Sequence, residues 1–600
     1  MTRPFVVPAH AALVASAVFL LGSGTARATS ADDPQAQAAA YEAHSDLYIE
    51  ERMPAAATCR HCHPRQYEQW SMSQHAYTQL SPIFNSFQAA LFKLTNGTNG
   101  DFCIRCHNPV GMNLGEPLFI SNMDRGTTAR EGVTCIACHR VDKALGKISG
   151  RLPIIQGDIT QPVHGPTGNA NLAETLKDTS LKLTTDRKAR GFKIHNEAKE
   201  FRFLSASGFC GNCHDVTLVD GFRLEEAFSE YKHSPAAAAG TSCQDCHMGK
   251  VPGRVSGYDE GPAAIVNGHE TPTRKLTDHR FVGPDHSVVH PGFFPHNDQA
   301  ADLASMREWL LFDWRAGWGT EEFEDALAER EDAGKPLPRF PERWSDSADR
   351  EEAREIIDVQ LERLDEMREA RKALLQLAYV LGEPELEQAD ADGIRFRVPV
   401  RNGTDGHNVP TGFTGERLVW LQVDVKDAEG TIIFQSGDLD PNGDVRDLHS
   451  SYVHNGELPL DEQLFNLQSP FITRNVHGGE REQILAVNYS PDPLPFLRPD
   501  TRPTILTGRT LDARIHKQGI ESNGERWAGY SISADRLTGK PPYTAEVRLK
   551  AAMVPVNLVK EISVVGFDYG LSARDIADRL VEGHTLVAER SLTIDMEAAK

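Results

Sequence analysis

All ten cysteines of the 600-residue chain belong to one repeated pentapeptide, Cys-x-x-Cys-His. Its five copies begin at Cys59, Cys103, Cys135, Cys210 and Cys243. Three chemistries use paired cysteines at this spacing: disulfide bonds, redox-active dithiols and zinc knuckles. A redox-active pair is expected only once, and a zinc knuckle needs a second ligand pair at regular spacing. None of the three requires a histidine directly after the second cysteine.

Covalent attachment of haem c accounts for the whole pentapeptide, with disulfides and zinc as the alternatives. The two thiols add to the two vinyl groups of the porphyrin, and the following histidine becomes the proximal ligand of the iron. Five copies with no spare cysteine therefore predict five covalently bound haems c. The predicted thioether residues are Cys59, Cys62, Cys103, Cys106, Cys135, Cys138, Cys210, Cys213, Cys243 and Cys246. The predicted proximal ligands are His63, His107, His139, His214 and His247.

An electron carrier usually fills the sixth position of each iron with a second imidazole, and the chain has 23 histidines. The segment after the first motif has helical character, with Tyr67, Trp70 and Tyr77 on one side. His75 on this segment is the first candidate for a distal ligand. An ordinary surface histidine of a helix is the alternative.

The N-terminus has the pattern of a secretory signal peptide over residues 1–28. Arg3 precedes an apolar run over 11–21 and an Ala-x-Ala site that ends at Ala28. The apolar run is too short to span a bilayer, and no later segment is apolar enough to do so. We therefore expect an exported chain that begins at Thr29 and has no membrane span. A periplasmic location is predicted, with an extracellular one as the alternative.

The composition restricts the class of partner. The chain has 85 acidic and 63 basic residues and a net charge of −22. Such a surface repels nucleic acid, so no nucleic-acid partner is expected. The expected partners are redox proteins, either quinol-linked membrane cytochromes or other periplasmic cytochromes. The sequence does not indicate an oligomeric state.

Three segments carry a family resemblance: CRHCHPRQYEQWSMSQHA, SGFCGNCHD and EYKHSPAAAAGTSCQDCHM. They resemble the cytochrome c-552/c-554 family of multihaem c cytochromes, distant relatives of hydroxylamine oxidoreductase and pentahaem nitrite reductase. The resemblance covers roughly residues 55–285. It implies haem ligation by His75 and, with weaker support, by His164, His195 and His279. His233 stands where the family pattern has no histidine.

The C-terminal half has a different pattern. Charged amphipathic stretches over 298–384 predict a helical connector, and strands of period two predict a β-sandwich of immunoglobulin-like type over 385–600. With a loop-rich helical multihaem domain over 29–297, the predicted class is α+β multidomain. A similar His-x-x-Pro-Thr-Gly loop occurs in β domains appended to multihaem cytochromes. This resemblance makes His407 the fifth distal candidate, with an ordinary loop histidine as the alternative.

A second loop of the β region begins like a calcium loop, with Asp438, Asp440 and Asn442 as its candidate ligands. It lacks the bidentate glutamate at the twelfth position, where His449 stands. Pro-Asn-Gly also makes a plain tight turn, and we favour the turn.

The leading functional prediction is a periplasmic pentahaem electron-transfer relay with bis-histidine haems and no catalytic residue. The first alternative is an oxidoreductase that acts on a small nitrogen or sulfur species, such as nitrite or hydroxylamine, at one five-coordinate haem. Against it, such enzymes typically mark the catalytic haem with Cys-x-x-Cys-Lys, which this chain lacks. The second alternative is a subunit of an extracellular cytochrome filament.

Overall fold

The computed structural model describes residues 52–97, 99–143, 150–217, 223–293, 298–477, 481–486 and 512–596. The predicted signal peptide lies outside these residues. All of them belong to one compact unit, 47–600. Within the described ranges, no helix is both long enough and apolar enough to cross a membrane.

The N-terminal part consists of short helices joined by loops and two-stranded sheets. Its helices are α1 (Ala56–Arg60), α2 (Pro64–Ser71), α3 (Gln74–Tyr77), α4 (Pro82–Leu94), α5 (Ile104–His107), α6 (Pro109–Leu114), α7 (Thr127–Arg130), α8 (Cys135–His139), α9 (Ala170–Lys177), α10 (Ser207–Cys210), α11 (Ala227–Lys232), α12 (Pro235–Ala238) and α13 (Cys243–His247). Its strands are β1 (Val163–Gly165), β2 (Leu183–Thr184), β3 (Phe192–Lys193), β4 (Ala198–Glu200), β5 (Val216–Thr217), β6 (Arg223–Glu225), β7 (Asp259–Pro262), β8 (Ile265–Val266), β9 (His269–Glu270) and β10 (Thr273–Leu276).

A group of helices follows: α14 (Asp298–Leu303), α15 (Met306–Trp309), α16 (Glu321–Asp332) and α17 (Ser347–Ala378). The first amphipathic stretch is broken because Ser305 caps α15 in a capping box with Glu308. The second forms one continuous helix, α17. Its apolar side packs on Trp309, Phe312 and Trp344. These helices bury aromatic side chains beside the N-terminal part.

Antiparallel strands begin directly after α17. They are β11 (Tyr379–Leu381), β12 (Glu385–Asp390), β13 (Gly393–Asn402), β14 (Leu418–Lys426), β15 (Ile432–Ser436), β16 (Phe471–His477), β17 (Arg481–Ala486), β18 (Asp512–Ile515), β19 (Glu525–Ser533), β20 (Tyr543–Ala552) and β21 (Thr585–Ile594). The remaining helices are α18 (Ser451–His454), α19 (Val556–Ile562) and α20 (Ala573–Glu582).

Two four-stranded sheets share one apolar core in this region. In the first, β13 pairs with β11 and β12 on one edge and with β19 on the other; the second has the order β15-β14-β20-β21. Alternate residues of β13 and β14, such as Phe396 and Val423, point into the common core, as period two predicts. The predicted α+β class is confirmed. The immunoglobulin-like topology stays a prediction.

The C-terminal helices pack on the N-terminal part. Leu558 and Ile562 of α19 lie in one apolar cluster with Ile83 and Leu91 of α4. Beside this cluster, the buried Tyr569 hydroxyl donates to the Leu80 carbonyl at 2.7 Å and accepts from Asn122 Nδ2 at 2.9 Å. The β region and the motif-bearing helices are therefore joined by an apolar and a polar contact.

We expect Tyr569→Phe to lower the free energy of unfolding by about 1–3 kcal/mol, because the Leu80 carbonyl and the Asn122 amide would lose a buried partner. Guanidinium unfolding followed by circular dichroism measures the change. Tyr452→Phe, at a half-buried residue outside this network, is the control. An equal effect of both substitutions would show that the contact adds nothing specific.

A buried carboxyl group lies at the start of β14. Glu416 is 3% exposed, and its Oε2 has no hydrogen-bond partner. Burial raises its pKa to about 8, with His449 opposing and Asp444 adding to the rise. Burial also raises the pKa of Asp444 to about 7. The folded chain therefore holds protons here at neutral pH.

Stability is expected to fall as pH rises from about 4.5 to 8, because the folded chain keeps a proton on Glu416 that the unfolded chain has already released. Glu416→Gln should flatten this part of the stability–pH profile. The exposed Glu462, changed to Gln, is the matched control and should leave the slope unchanged. A slope that persists in Glu416→Gln would contradict the assignment.

Candidate haem-binding centres

Each pentapeptide forms a single helical turn. The amide of His63 donates to the carbonyl of Cys59 at 2.9 Å, and the corresponding bonds to Cys103 and Cys210 are 3.2 and 2.9 Å. The other two motifs coincide with α8 and α13. A helical turn brings residues i and i+4 to one side, so the first cysteine and the histidine of each motif face the same volume. No disulfide bond joins any of the ten cysteines, all of which lie within the described ranges.

Three motif imidazoles face a second imidazole across a gap. The ring centres are 6.3 Å apart for His75 and His214, 6.4 Å for His139 and His279, and 6.3 Å for His247 and His407. A metal–imidazole bond is about 2 Å long, so two imidazoles on opposite sides of one metal ion place their ring centres roughly 6 Å apart. The spacing therefore fits one metal ion between each pair.

Hydrogen bonds at Nδ1 orient several of these rings. The Nδ1 of His139 donates to the carbonyl of His164 at 2.8 Å, that of His279 to Thr277 at 3.0 Å, and that of His407 to Asn408 at 2.8 Å. Since a carbonyl only accepts, Nδ1 carries the proton and Nε2 keeps its lone pair. This is the tautomer of a metal ligand, with the outer hydrogen bond that fixes its orientation.

Burial keeps the imidazoles neutral. It lowers the pKa of His75 to about 3, and those of His107, His247 and His279 to about 4. Neighbouring histidines add to the lowering in each case. A neutral imidazole is the form that binds a metal, so these rings fit ligation at neutral pH.

His63 and His195 form a fourth, less direct association. The Nδ1 of His63 donates to the Ala263 carbonyl at 2.7 Å, which leaves Nε2 free. Burial lowers the pKa of His195 to about 4, and the next largest contribution comes from His63. The Nδ1 of His195 is buried without a partner. Of the predicted distal residues, His195 and His279 both interact electrostatically with His63 of the first motif.

His164 does not face a motif imidazole in the part of the chain that the structure describes. Its ring lies 5.0 Å from that of Phe201, and its Nδ1 is buried without a partner. Its carbonyl instead accepts from His139. All five predicted distal histidines therefore lie near a motif histidine, but His164 contacts His139 through its backbone, whereas three of the others face a motif imidazole ring to ring.

His107 differs from the other motif histidines. Its ring stacks on Phe84, with centres 4.0 Å apart and planes at 7°, and its Nδ1 has no hydrogen-bond partner. Among the described residues, no second imidazole lies across from it at the spacing seen for the three pairs. Sequence reasoning missed Phe84, which carries no motif and reaches His107 from α4.

The sequence also did not predict an ion-pair network near His107 and His214. Arg417 pairs with Asp285, with one contact of 2.9 Å. Burial raises the pKa of Glu225 to about 7, although Arg417 opposes the rise. Asp285 acts electrostatically on both His107 and His214. Three distant segments supply this network, so no local pattern could indicate it.

Packing between the motif turns orders the five centres. Helix α1, which contains Cys59 of the first motif, contacts α8 of the third, and α10, which ends at Cys210 of the fourth motif, contacts α13 of the fifth. Gly150 donates to the carbonyl of Asn212 in the fourth motif at 2.6 Å and lies against Cys106 of the second. Cys138 of the third motif interacts electrostatically with Cys213 of the fourth. The first, third, fourth and fifth motifs thus follow one another, and the second adjoins the fourth.

The candidate calcium loop is organised as a turn. Asp440 Oδ1 accepts from the amides of Asn442, Gly443 and Asp444 at 2.8–3.1 Å, and its Oδ2 accepts from Ser450. Asp438 pairs with Arg446 at 2.6 Å. No group of three or more His, Cys, Asp or Glu side chains within the described ranges is arranged to hold a metal ion.

Comparison with known proteins gives one family match. Residues 58–140, which contain the first three motifs, match the family model described as cytochrome c554 and c-prime. No curated protein matches the chain. Among solved structures, the chain is similar to a penta-heme cytochrome c552 from Thermochromatium tepidum, with 17% identity, 90% of this chain and 98% of that chain covered, and a TM-score of 0.47. Residues 58–140 thus form a cytochrome c554 and c-prime family domain that contains three of the five Cys-x-x-Cys-His motifs.

Proposed function

We propose that the chain is a pentahaem electron-transfer relay in which most irons have two histidine ligands. The observation that carries this proposal is the set of three imidazole pairs with ring centres 6.3–6.4 Å apart. Haem c, when bound, supplies reversible one-electron oxidation and reduction at each centre. The Cys-x-x-Cys pairs would hold it covalently, and the paired imidazoles would ligate its iron from both sides.

The arrangement of the residues supports transfer over several centres. His214 lies in the middle of the series, with His75 opposite, and the fourth motif lies beside the second and the fifth. Two fixed imidazoles keep a ligand set constant during oxidation and reduction, so little reorganisation accompanies transfer. We assign entry and exit to the centres of His63 and His247, at the two ends of the series.

The wider biological setting belongs to the same proposal. We propose export through the signal peptide over 1–28, a periplasmic location, and redox proteins as partners. The domains proposed are 29–297, 298–384 and 385–600, the last with immunoglobulin-like topology. His407 gives the β region a role in this scheme, because its loop brings the ring opposite His247.

A second candidate function is small-molecule redox chemistry at the centre of His107. The observation that favours it is the environment of that ring, which stacks on Phe84 and has no imidazole across from it among the described residues. Glu225, Asp285 and Arg417 would provide proton-holding and anion-binding groups nearby. Nitrite or hydroxylamine is the class of substrate that suits such a site.

His75→Ala should convert one low-spin iron to high spin and create a carbon monoxide binding site, because His214 would lose the ring opposite it. Absorption and electron paramagnetic resonance spectra of the oxidised and reduced protein measure both effects. His233→Ala is the control, since His233 is exposed and its Nδ1 bonds to the Ser229 carbonyl. Unchanged spectra in His75→Ala would contradict the assignment.

The unmodified protein tests the relay against the second candidate. A relay without chemistry should show low-spin irons, no carbon monoxide binding, and no turnover of nitrite or hydroxylamine. One high-spin iron together with turnover at enzymatic rates would favour the oxidoreductase. Phe84→Ala then tests whether the high-spin iron is the one at His107, because in that case the substitution should change the high-spin signal. His75→Ala should instead add a second high-spin signal.

A further inference from the structure

One segment of this acidic chain is strongly basic. Residues 182–193 contain five basic residues and one acidic residue, against a net charge of −22 for the whole chain. We call these residues the basic segment; they include the short parallel strands β2 and β3. The local charge is therefore opposite to that of the molecule as a whole.

The cations of the basic segment are exposed and largely unpaired. Lys182, Lys188, Arg190 and Lys193 are all exposed, and none forms an ion pair with another described residue. Arg187 is the exception, with Asp158 at 3.4 Å. Phe192, in the midst of these cations, is 59% exposed. Exposed cations around one exposed aromatic ring are typical of a surface that binds an oppositely charged protein.

The basic segment lies beside the centre of the first motif. At its start, the Leu181 carbonyl accepts from Asn267 Nδ2 at 2.6 Å, and in the same hairpin Ile265 donates to the Cys62 carbonyl at 2.8 Å. At its end, the chain runs directly into His195, which acts electrostatically on the same centre through His63. Both ends of the segment thus connect to the Cys62–His63 turn.

We infer that the basic segment is the docking surface for an acidic electron-transfer protein that exchanges electrons with the centre of His63. The inference rests on the proposed relay and states the chemistry of the partner that would bind at one end of that relay. Opposite charges increase the rate of encounter at low salt, and the Phe192 ring would provide the apolar contact. An anionic membrane is the weaker fit, because an extended anionic surface would also face the acidic remainder of the molecule, whereas a protein can present a localised acidic patch to the basic segment alone.

The experiment compares two triple variants with the same change in net charge. The docking variant is Lys188→Glu, Arg190→Glu and Lys193→Glu. The control variant is Lys335→Glu, Arg339→Glu and Arg536→Glu, all exposed and remote from the basic segment in sequence. The probe is reduced plant-type ferredoxin, an acidic one-electron donor, and stopped-flow absorbance of the haem bands gives the second-order rate constant.

At low ionic strength the docking variant should be reduced about tenfold more slowly than the parent, and the control variant by less than about twofold. The difference should largely disappear at about 0.5 M salt, where charges are screened. Phe192→Ser should slow reduction at both salt concentrations, because it removes an apolar contact. Equal slowing of both triple variants would overturn the inference, since only net charge would then matter.

Two further measurements separate the possible failures. Sedimentation with phosphatidylglycerol vesicles tests whether the basic segment binds a membrane. The inference would be overturned in favour of a lipid surface if the parent bound the vesicles, the docking variant did not, and both were reduced by ferredoxin at the same rate. Dithionite titration tests the relay itself. A parent that dithionite reduces and ferredoxin does not would overturn the docking inference alone, whereas a parent without haem absorbance would contradict the relay.

Discussion

The burial of neutral imidazoles in facing pairs is the constraint on which the rest of the structure depends. A buried imidazole loses the hydrogen bonds of water, so both ring nitrogens need partners. In His139, His279 and His407, Nδ1 donates to a backbone carbonyl, so Nε2 keeps its lone pair. A metal held by both rings would give the remaining nitrogens a partner and would stabilise this polar interior.

The surrounding elements serve this pairing by bringing together residues that are far apart in sequence. His75 is held on α3, where Tyr77 accepts a hydrogen bond from Gln360 of α17 at 2.7 Å. His407 stands in a loop of the β region, whose C-terminal helices pack on α4. The α4 helix also carries Phe84, the partner of His107. Helices, sheets and loops thus form one scaffold around the motif turns.

The charge distribution separates the inside of this scaffold from its outside. Near His107 and His214, Arg417 and Asp285 neutralise each other, so buried charge is paired. On the surface, the acidic excess is interrupted by the basic segment beside the first motif. Charge is therefore paired in the interior near these histidines and exposed in the basic segment.

The sequence by itself determined the parts of this protein whose chemistry is local. A pentapeptide fits into one helical turn, so the relative positions of its two thiols and its histidine follow from five consecutive residues. The alternation of apolar and polar residues likewise indicated the strands of the β region. The resemblance to the c-552/c-554 family indicated the family whose model matches the segment with the first three motifs.

Only the tertiary structure decided which imidazole faces which. His247 is matched with His407 and His139 with His279, across segments whose separation leaves no periodic pattern. For the same reason the sequence did not indicate that the His164 carbonyl accepts a hydrogen bond from His139, or that Phe84 stacks on His107. Ligand pairing depends on long-range packing, and that information is not contained in any one stretch of the chain.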